Sequence, residues 1–583
     1  MQGKRKAPSK KHASFRRYIP QSQLSLPGFE TGFTQDLDKG NRWVKLSKKI
    51  PWDEVVRIYY LHHPRKSTGR PGLSPRILIG SVIIKHLNDY GDGETIEQIR
   101  ENVYLQYFLG FEEFTTEAPF DSSVFVDIRK KLTHSLLASI NERLCAINQQ
   151  GLLPKSVAEL DQKDDLSEDT KSDKSEKQAT CVKNEDSLES VKTPTDKEAM
   201  EVSAKVTHKG ELLMDASVAP QGIAYPTDLN LLNDARMTSE LIIDSLFARI
   251  KRELKDLIIE LKVIEHPDAI FASSLNGDLE ISWRKERIIS LKRIKKPRTY
   301  RQLARKAYLK VAQSKRPSKK KIRSAVGKQI RYLRRNFKHI DNLLNSFDSE
   351  RFPLDHSLQR YYWVIQLLYV QQKEMFDEKK HKVDNRIVSI HQPHVRPIVR
   401  GKAKANTEFG AKIHLSLIDG YSFLDTISWE AFNEGTHLTD YVENYKQRFG
   451  YYPEKVLVDK IYCTRANRKW LKDKQIKLAA KPLGRPSAKA VENHVSPGER
   501  NPIEGKFGQA KLRYGMNRIR AKLQNTSESW ISSIILVLNL VNLTRQALYC
   551  LVIASFSNGA MPFWTFFSLQ TRKQMERPNY MRI

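Results

Sequence analysis

Three acidic residues far apart in the chain stand in settings that suit metal-assisted phosphoryl chemistry. Asp215 lies in "LLMDASV" and Asp459 in "VLVDKIY", so each carboxylate interrupts a run of apolar, strand-forming residues. Charged side chains are seldom left inside such runs without a partner. Two carboxylates brought together repel unless a cation bridges them. Mg2+ is the natural cation, with Mn2+ as a substitute, because it prefers hard oxygen ligands and keeps positions open for water and phosphate. Two such ions about 3.5–4 Å apart would activate a nucleophile and steady the leaving oxygen. The third carboxylate, Glu504, lies in "GERNPIEGKFGQAKLRYGMNRIR". Glu504, Gly508 and Lys511 recur at i, i+4 and i+7, so they share one helix face. A carboxylate, a bare backbone and a lysine on one stripe suit the approach of a metal and a phosphate.

Each of these residues also has a plainer use. Asn501 and Pro502 fit an N-cap and a first helical position, and Glu504 could then bond back to the Asn501 amide as a capping box. The two uses of Glu504 are compatible. Among other carboxylates, Asp419 is explained by an Asp-Gly hairpin turn, while Asp228 and Asp425 are left without a role. His391, His394 and His437 match no zinc spacing.

The elements that must carry the acids are legible as periodic runs. Residues 41–150 read as a helical domain, with a turn around Gly91-Asp92-Gly93 and a cap-like Asp121. Residues 151–205 are polar, mixed in charge and poor in aromatics, which predicts a disordered linker. The strand with Asp215 follows, within 206–235. Residues 236–385 carry helical repeats such as Ile242, Leu246, Ile250 and Leu254, and read as an inserted, basic helical region. Strand signals return over 386–556: Ile413, Leu415 and Leu417 alternate with polar residues ahead of the Asp419-Gly420 turn, a short strand leads to Asp459, and "QIKLAAKP" adds another. Residues 1–40 read as a basic flexible tail and 557–583 as a C-terminal tail. The most apolar run, from Trp530 to Phe556, is broken by Asn539, Asn542, Arg545 and Gln546, which predicts a buried helix or helix pair rather than a membrane span.

Composition narrows the partner. Lys and Arg number 99 against 67 Asp and Glu, a formal net charge of +32. Charge of that size and sign points to a polyanion, and nucleic acid is the usual one. An anionic membrane surface fits less well, because the cations are spread over several segments. The best candidates for extended contact are the cation-rich helices between Lys292 and Lys338, including Lys328, Arg331, Arg334 and Arg335. Arg396, Arg400, Lys402 and Lys404 form a second group just before a sheet strand. The four cysteines form no C-x-x-C pair, and no apolar stretch follows the basic N-terminus, which suits a reducing cytosol without a signal peptide.

In order and setting, Asp215, Asp459 and Glu504 resemble the acidic triad of the DDE transposases of bacterial insertion sequences. "RNPIEGKFGQAK" carries Arg500, Glu504 and Lys511 in the family's Arg-x3-Glu-x6-Lys spacing. "VLVDKIYCTRANRKWL" is similar to the family's second-Asp block, and residues 43–132 resemble its helical N-terminal domain. The family's tyrosine three positions before the arginine is replaced here by Pro497, so no tyrosine-dependent step carries over. The resemblance implies an α/β multidomain protein: a ribonuclease H-like mixed sheet with flanking helices, interrupted by a helical insertion and preceded by an all-helical N-terminal domain for DNA binding or dimerisation. It implies two divalent ions held by Asp215, Asp459 and Glu504, with Arg500 and Lys511 on DNA phosphates. It further implies nicking at the element's ends, then attack of the freed 3′-hydroxyl on target DNA. Double-stranded DNA (terminal inverted repeats and target), a homodimer and a cytoplasmic, nucleoid-associated location follow as expectations, with no membrane. The alternatives are an end-binding protein or domesticated derivative without catalysis, and a metal-dependent nuclease without strand transfer.

Overall fold

The computed structural model describes residues 37–65, 72–148, 208–264, 275–347, 352–399, 407–480 and 497–557, with Tyr18 and Pro20. The linker at 151–205, the tail beyond residue 557 and all but a few residues of the tail at 1–40 lie outside them.

Short amphipathic segments fold into an N-terminal helical bundle: α1 (Arg42–Lys49), α2 (Trp52–His62), α3 (Pro75–Asn88), α4 (Asp92–Glu101), α5 (Val103–Leu109), α6 (Val124–Lys131) and α7 (His134–Asn148). Local chemistry sets the breaks. The α4–α5 boundary falls at Asn102, whose side chain accepts from the Tyr104 and Leu105 amides, so the run after Gly91 is two helices rather than one. Asp121 accepts from the Ser123 amide, and the run it opens is likewise divided, at Leu132–Thr133.

Strand β1 (Glu211–Pro220) is the centre of a mixed sheet with β2 (Arg396–Val399), β3 (Thr407–Ile418), β4 (Tyr421–Ser428), β5 (Lys455–Leu457) and β6 (Lys477–Ala479). The order is β2-β3-β1-β5-β6, and β4 also pairs with β3. β1 runs antiparallel to β3, with Asp215 opposite Leu415, and parallel to β5, which is parallel to β6. The β3–β4 turn uses Asp419 and Gly420 at φ 48° and 81°, the paired left-handed geometry of a tight hairpin. Gly410 sits opposite both Pro220 and Arg396, where a Cβ would fall 2.1 Å from the Ala219 carbonyl oxygen. No other residue fits that crossing.

Between β1 and β2 the chain makes a helical excursion through α8 (Asp228–Ile264), α9 (Leu275–Arg293), α10 (Arg301–Ala312), α11 (Lys319–Leu344) and α12 (His356–Asp377). α8 runs unbroken across residue 236. The excursion has its own core of Ile242, Leu246, Leu333, Ile365 and their neighbours, separate from the core shared by bundle and sheet.

After the sheet come α13 (Leu438–Phe449), α14 (Arg465–Asp473), α15 (Asn501–Arg513) and α16 (Gln524–Ser557). α16 is a single helix packed against the bundle and β4. It is long and apolar enough to cross a membrane, yet its most apolar window is 83% buried within the protein. Two of its asparagines tie it to its neighbours: Asn539 exchanges bonds with the Ser422 backbone and donates to Asn141 of α7, and Asn542 donates to the Gly420 carbonyl.

One buried ionic cluster ties bundle, sheet and α13 together. Asp425, fully buried, accepts from Arg448 at 2.9 Å, meets His414 Nδ1 at 3.0 Å and accepts from Ser416 Oγ at 2.5 Å. Arg448 also reaches Glu142 of α7 at 2.9 Å. Burial opposes ionisation of Asp425, but Arg448, His414 and Ser416 outweigh it and hold its carboxyl below the usual range. The sign follows: the stability this gives is fully present above the ordinary carboxylate value of 3.8 and is lost as pH falls through the lower folded value. Arg448→Met should strand a buried charge and cost about 3–5 kcal/mol in denaturant unfolding at neutral pH. A loss under about 1 kcal/mol would show that the cluster holds nothing together.

Candidate active site

Asp215 lies at the middle of β1, half-buried, with its Oδ1 accepting from the Ala216 amide at 2.8 Å. Asp459 lies just beyond β5 and caps a 3-10 turn over Lys460–Tyr462, accepting from the Lys460 amide at 2.7 Å. Because β1 and β5 are adjacent and parallel, the two acids come from neighbouring strands. Arg500 joins them, with Nη2 3.8 Å from Asp215 and Nη1 3.2 Å from Asp459. Asp215 is 23% exposed against 58% for Asp459, so the inner acid feels the stronger field. Burial above all lifts the Asp215 carboxyl above the usual range; the Ala216 amide and Arg500 oppose that shift, while Glu434 and Asp459 add to it.

Glu504 is one helical turn beyond Arg500 in α15, which packs on β1. It is exposed and lies in the first turn, where the positive end of the helix favours an anion. The cap differs from the sequence expectation. A 3-10 turn over Pro497–Arg500 leads into the helix, Arg500 takes the cap position without a side-chain bond, and Asn501 is already helical. Arg500 is drawn instead to the two aspartates. Among the described residues no three acidic, histidine or cysteine side chains stand close enough to grip a metal ion together. Two of the three acids therefore meet through a guanidinium, and the third stands one turn away.

The face of α15 is bare. Among the described residues, a Cβ on Gly505 or Gly508 would meet no atom within 4 Å, so their packing does not ask for glycine at either position. Each glycine costs the helix about 0.5–1 kcal/mol relative to alanine. Lys511, half-buried, completes the stripe.

Three residues that the sequence left unassigned fix the second acid. Gly435 presses against the turn that carries Asp459: a Cβ there would lie 2.4 Å from the Ile461 carbonyl oxygen. Asn467, buried in α14, clamps both segments by donating to the Gly435 and Tyr462 carbonyls at 2.6 and 2.8 Å. Glu434, beside Gly435, pairs with Lys412 of β3 at 2.7 Å and adds negative field at Asp215. "NEGTH" reads as an ordinary loop, and only the close approach in space singles it out.

The cationic candidates are spread wider. Lys328, Arg331 and Arg334 are exposed on α11 and make no ion pair among the described residues. Arg335 turns inward, donating to the Thr299 carbonyl and lying 4.9 Å over the Tyr300 ring. Arg396 lies in β2, and Arg400, Lys402 and Lys404 lie outside the described residues.

As donors, the aspartates offer hard carboxylate oxygens at the edge of solvent, the set that Mg2+ takes alongside water and substrate phosphate. They fit such an ion once Arg500 moves from between them. The guanidinium itself matches phosphate as well as carboxylate.

Comparison with known proteins finds two family matches. A family described as "Transposase DDE domain" matches residues 456–541, which hold Asp459, Arg500, Glu504 and Lys511. A second, described as "Transposase domain (DUF772)", matches residues 32–131, a range that takes in helices α1 to α6. An uncharacterized protein, ORF8 in the nfe locus of Rhizobium meliloti, is 38% identical over 92 residues, which is 15% of this chain and 42% of that protein. No solved structure matches the chain. The two matches, one to a DDE domain and one to a transposase domain, support an insertion-sequence DDE transposase, and the chain spans less than half the length of the curated relative it matches.

Proposed function

We propose that this protein binds the ends of its element, nicks them by metal-dependent hydrolysis and joins the freed 3′-hydroxyl to target DNA by transesterification. The observation that carries the reading is the position of Arg500, between two aspartates from adjacent strands and one turn from Glu504. A ribonuclease H-like core is part of the proposal. It is supported by a sheet in which β3 and β4 run antiparallel beside β1, while β5 and β6 lie parallel on its other side.

In this reading Asp215, Asp459 and Glu504 hold two Mg2+ ions. When bound, these activate water, then the 3′-hydroxyl, and stabilise the leaving oxygen. The protein's own groups do the rest. Asp215 binds from a half-buried position fixed by the Ala216 amide, and the Gly435–Asn467 clamp orients the turn of Asp459. Arg500 shifts to a phosphate oxygen, Lys511 takes a neighbouring phosphate, and the bare backbone at Gly505 and Gly508 lets the strand lie close. Lys328, Arg331 and Arg334 hold more distant backbone, with Arg400 and Lys402 as further contacts. Such contacts make affinity fall steeply with salt. Synapsis by a homodimer and a cytoplasmic, nucleoid-associated location complete the proposal.

Duplexes from the DNA flanking the reading frame provide the test. With Mg2+, Asp215→Asn and Glu504→Gln should keep end binding yet lose cleavage by on the order of 10³-fold or more. Wild type that binds ends without ever cutting would mark a silent end-binding protein, and cutting without joined products a plain nuclease. Gly508→Ala separates folding from function. It should stabilise the protein by about 0.5–1 kcal/mol in denaturant unfolding while weakening cleavage. Stabilisation with undiminished cleavage would remove the DNA strand from that face of α15.

A further inference from the structure

A cavity of about 650 Å³ opens where the helical bundle meets the far end of β1. Its walls include Gln221 and Gly222, just past β1, then Gly515, Arg518 and Arg520, between α15 and α16, and Trp530 of α16. Asp89, at the end of α3, closes one side. The loop after α15 is stitched to the end of β1: the Ile519 amide donates to the Pro220 carbonyl at 2.8 Å, and the Gly222 amide to the Ile519 carbonyl at 2.9 Å. Strand β1 thus carries Asp215 at its middle and leads to one wall of this cavity, while α15 carries Glu504 in its first turn and leads to another.

The lining is built for an anion. Arg518 and Arg520 are exposed and make no ion pair among the described residues. Behind Trp530 stand Lys85 and Arg129, 4.7 and 5.5 Å from its ring, sharing the single carboxylate of Asp92 at 2.9 Å each. The cavity itself is lined by Arg518 and Arg520 against the single carboxylate of Asp89, with Lys85, Arg129 and Asp92 behind its wall. The Nε1–H of Trp530 has no partner among the described residues but is itself enclosed, so the indole supplies only a wall of the cavity. Asp89 is held to one side by Gly515, where a Cβ would fall 2.5 Å from its Oδ1.

The distance to the triad follows from the two rails. Six strand residues from Asp215 to Gln221 span about 20 Å, and the nine residues of α15 from Glu504 to Arg513 span about 14 Å. One strand of a duplex advances about 3.4 Å per phosphate along its axis. We propose that this cavity is a second DNA subsite, in which Arg518 and Arg520, beside Trp530, hold a backbone phosphate roughly four to six nucleotides from the scissile bond. The inference rests on the transposase reading above and adds a contact that sets how far the strand lies from the acids.

The full-length protein is titrated against end duplexes at several salt concentrations. Arg518→Ala with Arg520→Ala should lower the slope of log affinity against log salt by about 0.9 for each phosphate left unneutralised. The paired Arg518→Lys and Arg520→Lys should restore most of it. Neutral methylphosphonates placed four to six nucleotides from the cut, within the rough span above, should weaken wild type and leave the double alanine variant unaffected. A double variant with the wild-type slope, or methylphosphonates that cost both proteins equally, overturns this subsite while leaving the transposase reading intact. Wild type that binds no end duplex at all overturns that reading and the subsite with it.

Discussion

Like charges cannot share a site without a counter-charge, and that constraint organises this structure. Two strands that lie side by side each deliver an aspartate to one place, and a single guanidinium keeps them there. In water a pair of unit charges 4 Å apart interacts by only about 1 kcal/mol, but the interaction grows several-fold near a protein surface. Asp215 is the more enclosed of the two, and burial above all raises its carboxyl, with Glu434 and Asp459 adding to the shift. Arg500 comes from the start of a helix whose own positive end points the same way. In the function proposed above the site would receive cations and phosphates, and in this structure Arg500 supplies the positive charge between the acids.

Holding two strands and a helix end in register needs a stiff surround. Bundle, sheet and α16 share one apolar core, and their polar ties are specific rather than numerous. Asn539 joins α7, β4 and α16 through one amide group. The Asp425 cluster joins α7, β3, β4 and α13 around a carboxylate whose own side chain is fully buried. Buried ion pairs are poor sources of net stability, but breaking one is expensive. Such a cluster therefore favours one arrangement of its elements over near alternatives.

Much of this was legible in the residues, and the failures have physical reasons. The three acids, the Arg500 to Lys511 spacing and the Asp419-Gly420 turn depend on local sequence, and all are visible there. The Asn501 cap was not realised, because a cap preference of about 1 kcal/mol is easily outweighed when the preceding residue can reach two carboxylates. Gly435 and Asn467 could not be found by spacing. Their contact joins segments 32 residues apart, and nothing in either segment is unusual by itself. Arg335 read like its neighbours Arg331 and Arg334, yet the aromatic shelf of Tyr300 turns it inward.

The crossing at Gly410 has a consequence for how this chain can change over time. The excursion through α8 to α12 departs at Pro220 and re-enters at Arg396, and both residues lie opposite the same glycine. Its entrance and exit are therefore neighbours, and its apolar interior is its own. Whatever grows, shrinks or is exchanged in that detour leaves the sheet closed behind it. The interval in primary order between the first and second acids is free to drift, while their separation in space stays fixed.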